Sequence, residues 1–180
     1  MRPLPTLCLF LSCLFFPLFV SATDWQPFGP PGGAVRALVS DAGQQTHYAI
    51  CSEQVYQSTD QGLSWNPLAP PDSYQTYADG VVVGSETPTL LVCLDTGGIR
   101  RWDPSAHSWE TANNGLGDPG SYALQGFDLS IAEPNATRVF FGSSVGLYYT
   151  DNDGGFWTEI PYPNDSYLPT KVEAASDGSI

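Results

Sequence analysis

Ser58-Thr59-Asp60-Gln61-Gly62-Leu63-Ser64-Trp65 is a polar turn closed by a large aromatic and set between two short apolar runs. An Asp in such a turn accepts hydrogen bonds from main-chain N–H groups a little further on, and a Ser or Thr hydroxyl adds another. Gly at the fifth position permits the positive φ of a tight reversal. The closing Trp begins the next strand and can bury a large area. A looser copy stands at Thr150-Asp151-Asn152-Asp153-Gly154-Gly155-Phe156-Trp157. A third stretch, Trp102-Asp103-Pro104-Ser105-Ala106-His107-Ser108-Trp109, keeps the closing Ser108 and Trp109 and loses the rest. The three closing tryptophans are 44 and 48 residues apart.

Working outward, each of these turns sits in the same order of short β-rich runs. The first set is Val35–Ser40, His47–Cys51, Val55–Ser58 and Trp65–Leu68. The second is Gly80–Val83, Thr89–Leu94, Ile99–Trp102 and Trp109–Thr111, and the third Phe127–Ile131, Arg138–Gly142, Leu147–Thr150 and Trp157–Ile160. Residues 35–52 align with 126–143 without a gap, and one inserted residue later Val55 falls over Leu147. Repeats of about 40–50 residues with four strands each predict an all-β protein, a β-propeller of four-stranded antiparallel blades. The blades fall at about 33–70, 77–112 and 122–161, and Val172–Ala175 opens the start of a fourth over 170–180. An array ending there leaves a sheet face uncovered, so the sequence reads as an incomplete propeller. A β-sandwich is the alternative, since it too has short strands at even spacing.

The first 22 residues have the build of a signal peptide. Arg2 precedes an almost wholly apolar run from Leu7 to Val20, and Val20-Ser21-Ala22 supplies small residues before Thr23. The run is shorter than the ~20 residues that a membrane span needs. Export, to a secreted or periplasmic location, is the expectation. The chain carries 6 basic and 19 acidic side chains, and losing Arg2 with the leader takes its net charge from −13 to −14. Phosphate repulsion argues against nucleic acid and against an anionic membrane surface as partner. Cys51 and Cys93 remain after the leader, at matching positions of neighbouring repeats, and read as buried thiols rather than a disulfide framework.

The Ser58–Trp65 stretch meets every position of the Asp-box, or BNR repeat, S/T-x-D-x-G-x-S/T-W, and the chain resembles the Asp-box propeller superfamily over residues 25–180. The later copy departs from the pattern at Asn152 and Phe156. The resemblance implies that Ser58, Asp60, Gly62 and Trp65, with Thr150, Asn152, Gly154 and Trp157, are hairpin residues between the third and fourth strands of a blade. The superfamily spans sialidases, xyloglucan-cleaving hydrolases, sortilin-like receptors and photosystem II assembly factors, so the fold leaves the activity open.

If the sets are blades, the Asp-box turns lie at one end and the turns at 52–54, 95–98 and 144–146 at the other. Glu53 and Asp95 are the ligand-side carboxylates at that second end, with Tyr74, Tyr122 and Tyr167 as candidate sugar-stacking rings. Catalytic motifs are missing. A sialidase needs an arginine triad and an Arg-Ile-Pro segment, and beyond the leader there are only Arg36, Arg100, Arg101 and Arg138. His47 and His107 lack a Gly-x-Ser-x-Gly elbow. Asp151-Asn152-Asp153-Gly154 fails as a calcium loop, because Tyr149 and Ile160 fall where acids are needed. There is no zinc spacing and no cofactor motif, and none is expected to be needed. Asn135 and Asn164 open glycosylation sequons. The reading is an exported, non-catalytic binding or assembly scaffold for a protein or carbohydrate partner. The alternative is a glycoside hydrolase whose two carboxylates lie partly outside this chain.

Overall fold

A computed structural model of the chain describes residues 29–30, 33–70, 76–84, 87–118, 124–131, 137–161, 169–175 and 180. The expected signal peptide, Tyr74, Tyr122, Tyr167 and both sequon asparagines lie outside them. The described residues form twelve strands and no helix. Blade 1 holds β1 (Val35–Ser40), β2 (His47–Cys51), β3 (Val55–Ser58) and β4 (Asn66–Pro67). Blade 2 holds β5 (Tyr77–Val83), β6 (Thr89–Leu94), β7 (Gly98–Asp103) and β8 (Ser108–Thr111). Blade 3 holds β9 (Gly126–Ile131), β10 (Val139–Ser143), β11 (Gly146–Thr150) and β12 (Thr158–Ile160). Each blade is one four-stranded sheet, strands in chain order and antiparallel throughout.

The apolar core lies between blades. Alternate residues of a strand point to opposite faces, so each sheet offers one row to the sheet before it and one to the sheet after. Tyr48, Ile50 and Val55 of blade 1 pack with Val82, Leu90, Val92 and Leu94 of blade 2. The intervening residues Val81, Val83, Leu91 and Cys93 pack with Leu129, Val139, Phe141 and Trp157 of blade 3. The run from Leu90 to Leu94 is therefore buried at every position, as a strand covered on both faces must be. A middle sheet buried on both faces rules out a two-sheet sandwich.

The register corrects two sequence expectations. Each innermost strand carries a bulge, which leaves Arg36, Ala78 and Phe127 as the extra residues. Beyond it Ala37, Asp79 and Asp128 occupy the same place. Val35 pairs with Cys51 and Gly126 with Ser143, while Leu38 pairs with Ala49 and Leu129 with Phe141. The inserted residue of blade 3 thus sits in the turn between the first two strands, so that Ala49 matches Phe141. Likewise Tyr77 pairs with Leu94 and Asp79 with Cys93. Cys51 therefore matches Leu94, not Cys93, and the two buried thiols point to opposite sides of their sheets. Both are free.

The fourth strand of blade 1 is shorter than the expected 65–68, because Pro67 has no N–H to extend the ladder. The expected start of a fourth blade at Val172–Ala175 forms no ladder strand, yet it lies along the inner edge of blade 3. There Val172 N–H donates to Asp128 Oδ2 (2.6 Å) and Ala174 N–H to Ser130 Oγ (3.0 Å).

Candidate functional site

The Ser58–Trp65 turn is built as its residue types require. Ser58 Oγ donates to Asp60 Oδ1 (2.8 Å) and accepts the Gly62 N–H (2.9 Å). Asp60 Oδ1 accepts the Ser64 N–H (2.8 Å), and Oδ2 accepts the Ser64 hydroxyl (2.6 Å). These bonds, those to Ser64 foremost, hold the Asp60 carboxyl down at about 2. The later copy repeats the scheme: Thr150 Oγ1 donates to Asn152 Oδ1 (2.8 Å) and accepts the Gly154 N–H (3.2 Å), and Asn152 Oδ1 accepts the Phe156 N–H (2.9 Å). Gln61 and Gly62, then Asp153 and Gly154, take positive φ. Blade 2 turns differently, with Asp103 Oδ1 accepting the Ser105 and Ala106 N–H groups. All these groups are satisfied inside their own hairpins.

The closing tryptophans reach across to the preceding blade. Trp109 Nε1 donates to the Ala69 carbonyl (2.6 Å) and Trp157 Nε1 to the Ala112 carbonyl (2.8 Å), each just past that blade's outer strand. Trp157 is fully buried against Phe141.

At the other end lie the turns that carry Glu53 and Asp95. Both side chains are exposed. The Tyr77 N–H donates to the Ser52 carbonyl, and the Asp95 N–H donates to the Thr76 carbonyl, so the two turns stand side by side, joined through the entry to β5. Asp95 Oδ2 also accepts the Thr76 hydroxyl. Glu53 lines a groove of about 430 Å³ with Gly33, Ala34, Cys51, Ser52, Gln54 and Tyr56, and Asp95 is not among its lining residues. Cys51 and Tyr56 belong to the face of blade 1 turned away from blade 2.

His47 and His107 are not brought together. His47 Nδ1 shares a hydrogen bond with Ser40 Oγ (2.6 Å) across the β1–β2 ladder, while the His107 ring stands edge-on to Trp102 in the blade 2 turn. Among the described residues no group of three His, Cys, Asp or Glu side chains has metal-binding geometry.

Sequence reasoning missed one carboxyl pair. Asp79 and Asp128 hold matching positions on neighbouring inner strands, and the Asp128 carboxyl is near enough to act on that of Asp79. Asp79 Oδ2 accepts the Leu129 N–H (2.9 Å), just as Asp128 Oδ2 accepts that of Val172. Burial, and then the nearby Asp128, push the Asp79 carboxyl up to about 6 against the opposing pull of the Leu129 and Gly80 N–H groups. Cys93, beside the pair, is driven well above its ordinary value, first by burial and then by Asp79. A buried thiol so shifted is inert. The usable signal was the three-repeat register: Asp79 falls over Asp128 once the bulge is placed.

No protein-family model and no curated protein matches the sequence. Solved structures do resemble the fold. The GH74 xyloglucanase from Xanthomonas campestris superposes with a TM-score of 0.54 at 15% identity, over 69% of this chain and 21% of that one. The extracellular domain of the putative one-component system BT4673 from B. thetaiotaomicron gives 0.56 at 15%, over 75% and 18%. YCF48 bound to D1 peptide gives 0.51 at 19%, over 77% and 44%. The chain thus spans less than half the length of each. At such identities the likeness speaks for architecture alone, and what the chain shares with these proteins is the fold: consecutive blades of a β-propeller.

Proposed function

We propose that the chain is part of an exported Asp-box β-propeller that serves as a non-catalytic binding or assembly scaffold for a protein or carbohydrate partner. The observation that carries this reading is how the acids are used. Asp41, Asp60, Asp79, Asp103 and Asp128 each accept main-chain N–H groups, so these five carboxylates act as fasteners. The exposed Glu53 and Asp95 sit in separate turns on one end, which suits recognition better than paired acid–base work. YCF48, a propeller of similar fold, has been solved with a peptide bound. A net charge of −13 favours a partner with basic character and disfavours nucleic acid and anionic membrane.

One observation favours a second reading. A GH74 xyloglucanase shares the fold, and Asp79, whose carboxyl burial pushes up to about 6, lies beside a second acid, Asp128, as a general acid requires. Reducing-end release from a glycan panel including xyloglucan, by the intact polypeptide, separates the two. The scaffold reading expects no release. Release that vanishes in Asp79→Asn with no fall in melting temperature would establish the hydrolase.

A further inference from the structure

Along the inner rim the two blade junctions are closed differently. Between blades 2 and 3 the Asp79 carboxylate accepts the N–H of Leu129 (2.9 Å), the residue directly after Asp128, so two acids meet at one crossing. Asp79 stands opposite Cys93 in the β5–β6 ladder, and Cys93 is fully buried in the core that blades 2 and 3 share. Between blades 1 and 2 the same place on β1 is held by Ala37, and Gly80 lets β5 close on blade 1: a Cβ there would come to 3.0 Å from Ile50 Cγ1. That junction carries no acid at the rim. Carboxyl groups that share a site disfavour one another's charge, and burial with the nearby Asp128 raises the Asp79 carboxyl above its ordinary 3.8. The closed junction therefore holds the Asp79 proton more tightly than an open one, and acid favours closure.

We propose that the crossing of Asp79 and Asp128 is a proton-sensitive clasp, which grips blades 2 and 3 at the inner rim in acid, slackens towards neutral pH and seals the Cys93 thiol. The charged and titratable groups on the elements packed against β5 are Asp128 on β9, Cys93 on β6 with Asp95 in the turn that follows, Arg36 on β1, and His47, Tyr48 and Cys51 on β2. Arg36 is turned to Ser52 Oγ and His47 to Ser40 Oγ, and no cation among the described residues pairs with either acid of the crossing. The clasp sets how firmly the blades are joined that carry the Asp95 turn and the 144–146 turn. At that end the Leu124 carbonyl, just before β9, accepts the Gly97 and Gly98 N–H groups of blade 2. The device is independent of whether the propeller binds or cleaves.

The test is N-ethylmaleimide labelling of the native thiols in the intact polypeptide, read by peptide mapping as the ratio of the Cys93 rate to the Cys51 rate between pH 5 and pH 7.5. Thiolate formation speeds both reactions alike, and unfolding of the whole protein exposes both thiols alike, so the ratio follows local opening of the blade 2–3 core. The clasp raises the ratio by about tenfold across that range, as a proton held to about pH 6 in the closed junction and to its ordinary value in the open one requires. Asp79→Asn keeps an acceptor for the Leu129 N–H and cannot ionise. In that variant the ratio stays flat with pH, at the low value the parent shows in acid. A ratio that is flat in the parent overturns the proposal, as does one that rises just as steeply in Asp79→Asn.

Discussion

The Asp60 carboxylate accepts three hydrogen bonds within its own hairpin, whereas that of Asp79 is enclosed between two inner strands beside a second carboxyl group. The two respond to pH in opposite senses. Asp60 is held at about 2, below its ordinary 3.8, so its contribution to stability is complete above pH ~4 and is lost as pH falls through 2. Asp60→Ala should therefore lower the urea midpoint at pH 7, and the gap to the parent should close near pH 2. Binding or activity lost at unchanged midpoint would show that the residue serves chemistry instead. Asp79 is raised to about 6, so the folded state takes up its proton more readily than the unfolded chain, and stability rises as pH falls from 7 towards 4. Asp79→Asn keeps an acceptor for the Leu129 N–H and removes the charge. It should stabilise the protein at pH 8 by about 1–3 kcal/mol and be near neutral at pH 4, measured by denaturant melts at both values.

At the scale of elements, strand existence was legible and strand meaning was less so. The runs at Val35–Ser40, His47–Cys51, Val55–Ser58 and Thr89–Leu94 stand in the fold with the bounds their β-rich composition predicts. β5 begins at Tyr77 rather than Gly80 because Asp79, polar in the middle of a strand, has its acceptor satisfied by the next blade. No property of residues 77–79 alone announces that. The same holds for the Asp79–Asp128 pair, which exists only once two sheets are stacked in register. Glu53 and Asp95 lie in turns at one end of the blades, a position that follows from strand order. Blade stacking also fixes what two substitutions do. Trp157→Phe removes the donor to the Ala112 carbonyl and should cost about 1–3 kcal/mol in a urea melt. Gly126→Ala would bring a Cβ to 2.6 Å from Cys93 Cβ, between backbones too close to part, and should cost at least as much as an overpacked core, about 1–3 kcal/mol.

For the whole molecule, the decisive fact is that the cores lie between sheets, so that no blade owns the apolar surface it buries. Leu91 is fully buried in blade 2 and packs in the cluster that holds Phe141 and Trp157 of blade 3. Leu91→Ala should lower stability by about 2–5 kcal/mol, and amide exchange should speed up in β10 and at Trp157 as well as in β6. Exchange confined to blade 2 would mean that the blades open independently. The inner-strand bulges bear on a different hazard. Strands β1, β5 and β9 are sheet edges, and a long flat edge invites another chain to add itself as a strand. A bulge in each breaks the row of donors and acceptors at the same place, and a charged residue stands at or beside it: Arg36, Asp79 and Asp128. At the outer rim β4 is two residues long and contains Pro67. The edges of this stack are thereby guarded against growing into fibrils.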